Sequence, residues 1–110
     1  RSTTRGRLEV LAKASGVLIR FHAVTERGQH VAKLGRRVDI APHLGGTFVV
    51  HPAIGAMGFA VTDAASGCSV GFSPDLEADA ISLAAANLAP RTDADMHRAR
   101  ERLRQMLVGS

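Results

Sequence analysis

The sequence contains no tryptophan and no tyrosine. Proteins that grip single-stranded nucleic acid by stacking bases rely on exposed aromatic faces, so that binding mode loses its main tools here. Four phenylalanines remain, Phe21, Phe48, Phe59 and Phe72, and each falls in a stretch that reads as core. Cysteine is almost absent too. A lone thiol, Cys68, excludes an intramolecular disulfide and a cysteine cage around zinc. Lysine is scarce, two residues against twelve arginines. Together with abundant alanine, this balance points to a GC-rich bacterial or phage genome, a mobile element included. No apolar segment with a basic flank opens the chain, so no signal peptide is read and a cytoplasmic location is expected. Residues Ile40 to Thr62 carry no Asp, Glu, Lys or Arg, and that length alone would suit a membrane span. The same stretch holds Pro42, Pro52, His43, His51 and four glycines. Those residues fit loops between short strands, and no membrane contact is expected.

What is present is globular. The 110 residues are 45% hydrophobic and 22% charged, enough apolar content to build a core rather than a disordered chain. The length sets one domain, residues 1–110. Net charge is +4, unevenly spread. Residues 1–37 contain nine Lys/Arg and two acids, a balance of +7. Residues 38–97 contain one Arg and seven acids, a balance of −6, and residues 98–110 four Arg and one Glu, a balance of +3. Such asymmetry predicts a basic surface built from the two ends of the chain, although charge of this size also serves solubility alone.

Local patterns predict an α+β fold. Thr3 and Thr4 suit the cap of a short N-terminal helix running to about Ser15, with Leu8, Leu11 and Ala12 on one face. Residues 17–24 alternate as a strand: Val17, Ile19, Phe21 and Ala23 on one side, Leu18, Arg20, His22 and Val24 on the other. His30 to Leu34 reads as the return strand, with Gly35 a bulge or break before Arg36–Ile40. Thr47–His51 is a short strand stopped by Pro52. Gly58–Asp63 and Cys68–Phe72 form a hairpin in which Phe59 and Val61 face Val70 and Phe72. Ser73 suits an N-cap with Pro74 at the first helical position, and Leu76, Ala80, Ile81, Leu83, Ala84 and Leu88 share a wide apolar face. Thr92-Asp93-Ala94-Asp95 resembles a capping box opening a last helix to about Val108. The sum is a small antiparallel sheet of four to six short strands, packed against C-terminal helices.

No pattern reads as catalytic, and no enzyme activity or cofactor is expected. Gly67-Cys68-Ser69-Val70-Gly71 matches G-x-S-x-G, but that motif needs an immediate helix beneath its serine. Here the glycine closes a hairpin and Ser69 continues along a strand. Cys68 reads as a small buried hydrophobe. Asp75, Glu77 and Asp79 sit in the first turns of a helix, where negative charge is favourable anyway. Of His22, His30, His43, His51 and His97, none forms a ligand-spaced motif, and no metal site is expected. His22 and His51 are the pair that neighbouring strands could bring together.

The basic residues carry the functional expectation. In the last helix Met96, Ala99, Leu103, Met106 and Leu107 form an apolar stripe. Arg100 and Arg104 flank it on one side, Arg98 and Arg102 on the other. A second group is Lys33, Arg36 and Arg37, near Arg20; a third is Arg1, Arg5 and Arg7. Arg36 and Arg37 point to opposite faces of a regular strand, so at most one joins a given patch. The expectation is a small non-enzymatic binding module that meets nucleic acid through its phosphates, using Lys33, Arg36, Arg37, Arg98, Arg100, Arg102 and Arg104. The alternative is a protein-protein interaction module, such as a phage- or plasmid-encoded inhibitor docking an acidic surface of a host complex. Met96, Leu103, Met106 and Leu107 are the candidate partner interface, and a homodimer through that stripe is the third option.

Overall fold

The computed structural model describes residues 14–25 and 27–109. Five strands pair with their sequence neighbours in the order β1-β2-β3-β4-β5, all antiparallel. They are β1 (Ala14–Val24), β2 (His30–Val38), β3 (Phe48–Pro52), β4 (Phe59–Asp63) and β5 (Ser69–Ser73). Two helices follow, α1 (Glu77–Leu88) and α2 (Asp93–Val108), and complete an α+β fold. The helix expected from Thr3 lies outside the described residues up to position 13. Its last two positions, Ala14 and Ser15, belong to β1 instead.

The period-2 pattern separates two faces. Val38, Phe48, Val50 and Val61 face the helices, and Ile81, Ala84 and Leu88 of α1 join them in the main core. Burying a side chain of this size contributes about 1.5–3 kcal/mol. α1 comes very close to β5 at Gly71: a Cβ there would lie 2.7 Å from the Ala84 Cβ and 2.8 Å from the Ala80 carbonyl oxygen. Glycine is what permits that approach. The loop after β2 contains a 3₁₀ turn, Pro42–Leu44, which buries Leu44 in the same core. The His43 Nε2–H points at the Leu88 and Arg91 carbonyl oxygens, 3.2 and 3.1 Å away, beside the Arg91 N–H that already donates to Leu88, and so ties the loop to the end of α1.

The other face is covered by the chain itself. β2 pairs with β3 over Arg36–Val38 alone, so the rest of the β1–β2 hairpin runs past the sheet edge. It bends over the back. Phe21 and Ala23 pack on Val49 as a second core, and the Val24 N–H donates to the Gly67 carbonyl at 2.8 Å. Gly35 is not a break: β2 runs through it. Its missing side chain admits Val49 and Phe21, whose nearest atoms would stand 3.0 and 3.2 Å from a Cβ.

Three packing details differ from the sequence reading. β5 pairs Gly71 with Val61, and a bulge at Val70 follows, so Phe72 lies opposite Ala60 on the back face and is 41% exposed. It does not join Phe59 and Val61. On α1, Ala80, Ile81, Ala84 and Leu88 are buried, but Leu83 is 47% exposed and Leu76 also reaches solvent. The buried face is narrower because small alanines bring the helix close to the sheet. The helix also begins later: the Ser73 hydroxyl accepts from Asp75 and Leu76 N–H, capping the turn at Pro74, and α1 starts at Glu77. The second cap is as read. Thr92 Oγ1 accepts from Asp95 N–H, and the Asp95 carboxylate accepts from Thr92 N–H.

Candidate functional site

α2 sorts its four arginines by helix geometry. Arg100 turns inward. Its Nε donates to Asp63 Oδ2 at 3.0 Å and its Nη2 to Oδ1 at 3.3 Å. Nη1 and Nη2 also reach the Leu44 and Gly45 carbonyls at 3.0 and 3.1 Å. Asp63 has no solvent exposure, and a buried carboxylate demands such a partner. Arg100 therefore serves the fold. Arg98 and Arg102 turn outward, four residues or about 6 Å apart along the axis. Both are exposed and make no ion pair among the described residues. Together with His97, Glu101 and Gln105 they line a shallow groove along the helix. Arg104 pairs with Glu101, and its hydrogen bond holds the Glu101 carboxyl below the ordinary value. Asp95 is likewise held low by its Thr92 hydrogen bonds in the capping box.

The strand group is divided. Arg36 shares the helix face with Val50, its partner in register, and pairs with Glu77 of α1. Lys33 and Arg37 point to the back, opposite Phe21 and Val49, and Arg37 lies 3.7 Å from Asp39. Lys33 and Arg37 are thus on the far side of the sheet from α2, so the strand group and the helix group do not form one surface. Of the stripe on α2, Met96 and Leu103 are buried in this chain's own interior, Met106 is half-buried and Leu107 is partly exposed. Met96 and Leu103 are not available to a partner in this fold.

The motif residues have ordinary settings. Ser69 stands in β5, opposite Thr62, with its hydroxyl 3.5 Å from the Gly71 carbonyl and no imidazole partner among the described residues. Cys68 is exposed rather than buried, because it sits in the turn before β5 where its side chain has no facing layer. His22 meets His30, not His51, since β1 pairs only with β2.

A cleft of about 570 Å³ opens on the back face. Its walls are the β1–β2 turn and the Ala53–Ala56 loop, and its floor includes His51, Ala60, Thr62, Ser69 and Phe72. Sequence reasoning missed it because three distant segments build it. His51 is anchored at both nitrogens: Nδ1–H donates to the Pro52 carbonyl at 2.8 Å, so Nε2 accepts from the Thr62 hydroxyl at 2.7 Å. Burial pushes the His51 imidazole below its ordinary pKa and Lys33 adds to this, against the Pro52 bond, which favours the charged form. A hydroxyl–imidazole–acceptor chain has the order of an activated nucleophile. Thr62, however, is 2% exposed, and a nucleophile must reach its substrate. The pair is a cross-strand tie between β3 and β4.

No group of three or more His, Cys, Asp or Glu side chains gathers among the described residues, and none of their helices is long and apolar enough to cross a membrane. No family model matches the chain, and no curated protein or solved structure matches it either.

Proposed function

We propose that the chain is a small non-enzymatic binding module that docks on nucleic-acid phosphates through the outer face of α2. One observation carries this: Arg98 and Arg102 stand one turn apart on an exposed helix face without an acidic partner among the described residues. Two forks at that spacing suit successive phosphate oxygens. Arg104 lies on the other side of the helix, paired with Glu101, and does not join this row. Arg36 and Arg100 leave the candidate set, because each is engaged within the fold. Phe21 and Phe48 are buried, Phe59 is half-buried, and the exposed Phe72 lies on the back face away from α2, so base stacking contributes little there and binding is led by phosphate, with weak sequence preference. The test is the salt dependence of duplex binding. Each phosphate contact contributes about −0.9 to the slope of log affinity against log salt, so replacing Arg98 and Arg102 together flattens it by roughly two units.

A protein partner is the second reading, and a different surface favours it. Leu18 and Leu34 are 61% and 55% exposed on one face of the β1–β2 hairpin, with Arg20 beside them and β1 at the sheet edge. An apolar pair on an edge strand suits a protein surface rather than a phosphate backbone. Leu18→Ser with Leu34→Ser would abolish a protein complex and leave the salt slope on DNA unchanged.

A further inference from the structure

His22 and His30 face each other on the β1–β2 hairpin, one from each strand. Their Nδ1 atoms are 3.2 Å apart and their ring centroids 5.1 Å apart, with the ring planes 68° to one another. We propose that this pair is a binding site for a borderline divalent metal ion, zinc being the probe of choice. Two imidazole nitrogens each about 2.05 Å from a tetrahedral ion lie about 3.3 Å apart, and their ring centroids then lie about 5.2 Å apart. Both separations in the hairpin match. The same 3.2 Å separation is a hydrogen bond between the rings in the metal-free chain, one Nδ1–H donating to the other Nδ1, and the ion takes the place of that shared proton.

The scaffold supports the geometry. The two side chains project from hydrogen-bonded strands, where Val24 pairs with His30 and Ala32 with His22, so their separation is set by backbone register rather than by a loop. Both rings are half-buried, which limits rotamer freedom before an ion arrives. Imidazole suits zinc, copper or nickel and does not suit magnesium or calcium, which take oxygen ligands. Among the described residues no third His, Cys, Asp or Glu completes a group with this pair.

The test is titration of the untagged full chain with zinc chloride, followed by the imidazole nitrogen signals in two-dimensional NMR. The Nδ1 signals of His22 and His30 should move together and saturate at one equivalent, while those of His43, His51 and His97 stay in place. His22→Gln and His30→Gln should each weaken zinc binding at least about tenfold. Zinc should raise the melting temperature of the parent chain and leave that of each variant unchanged. Movement of all five histidines alike, no movement at tenfold excess zinc, or unchanged affinity in His22→Gln would each overturn the proposal. The parent spectrum alone decides the question if a variant fails to fold.

Discussion

Replacing Arg100 with alanine strands the Asp63 carboxylate at a position with no solvent exposure. Breaking a buried pair from one side costs about 3–5 kcal/mol, a large part of a small domain's stability. Urea unfolding of Arg100→Ala should show that loss, whereas Arg98→Ala should stay within about 0.5 kcal/mol of the parent. The contrast between two arginines on one helix is the informative part. A helical wheel places both beside the apolar stripe. Only the fold shows that Arg100 has Asp63 in front of it, thirty-seven positions earlier in the chain. The same limit hid His22 and His30, since their meeting depends on strand register and not on spacing. His51 supplies a pH prediction. Burial lowers its folded pKa below the unfolded value of about 6.5, so the unfolded chain takes up the proton more readily. Its contribution to stability is therefore full above about pH 6.5 and is lost as pH falls through the folded value. Unfolding free energies measured from pH 8 to 5 should fall more steeply for the parent than for His51→Gln.

At the scale of elements, the packing of α1 decides which substitutions matter. Ile81→Ala removes a buried side chain and should cost about 2–5 kcal/mol. Leu83→Asp lies on the half-exposed side of the same helix and should cost less than about 1.5 kcal/mol. Gly71→Ala forces a Cβ against the Ala84 backbone nitrogen at 2.7 Å and should cost about 1–3 kcal/mol by overpacking. Thermal melts of the three variants check the ordering. Much of this scale was legible in the chain: the β4–β5 hairpin from its alternation and turn residues, α2 from the Thr92–Asp95 box. The faces were less so. A bulge at Val70 reverses Phe72, and no periodicity announces a bulge. The late start of α1 escaped because a serine before a proline caps a turn as readily as a helix. The fold-back of the β1–β2 hairpin rests on Gly35, whose role is to admit Val49 and Phe21.

At the scale of the molecule, charge is separated by the sheet. The outward arginines of α2 look away from one side, and Lys33 with Arg37 lies on the other. The strong block asymmetry of the sequence does not translate into one basic face among the described residues, because Arg36 and Arg100 meet acids from the middle block, Glu77 and Asp63. Among the described residues, α2 therefore offers a polyanion a narrow strip of two arginines, Arg98 and Arg102. The most direct measurement is a duplex-DNA titration at about 50 mM salt with micromolar protein, repeated at rising salt and with Arg98 and Arg102 replaced together. Binding through the α2 strip gives a saturable shift whose log–log salt slope is about −2 and falls close to zero in the double variant, with the circular dichroism spectrum unchanged. No shift at low salt, or a slope that the double variant leaves intact, would contradict it.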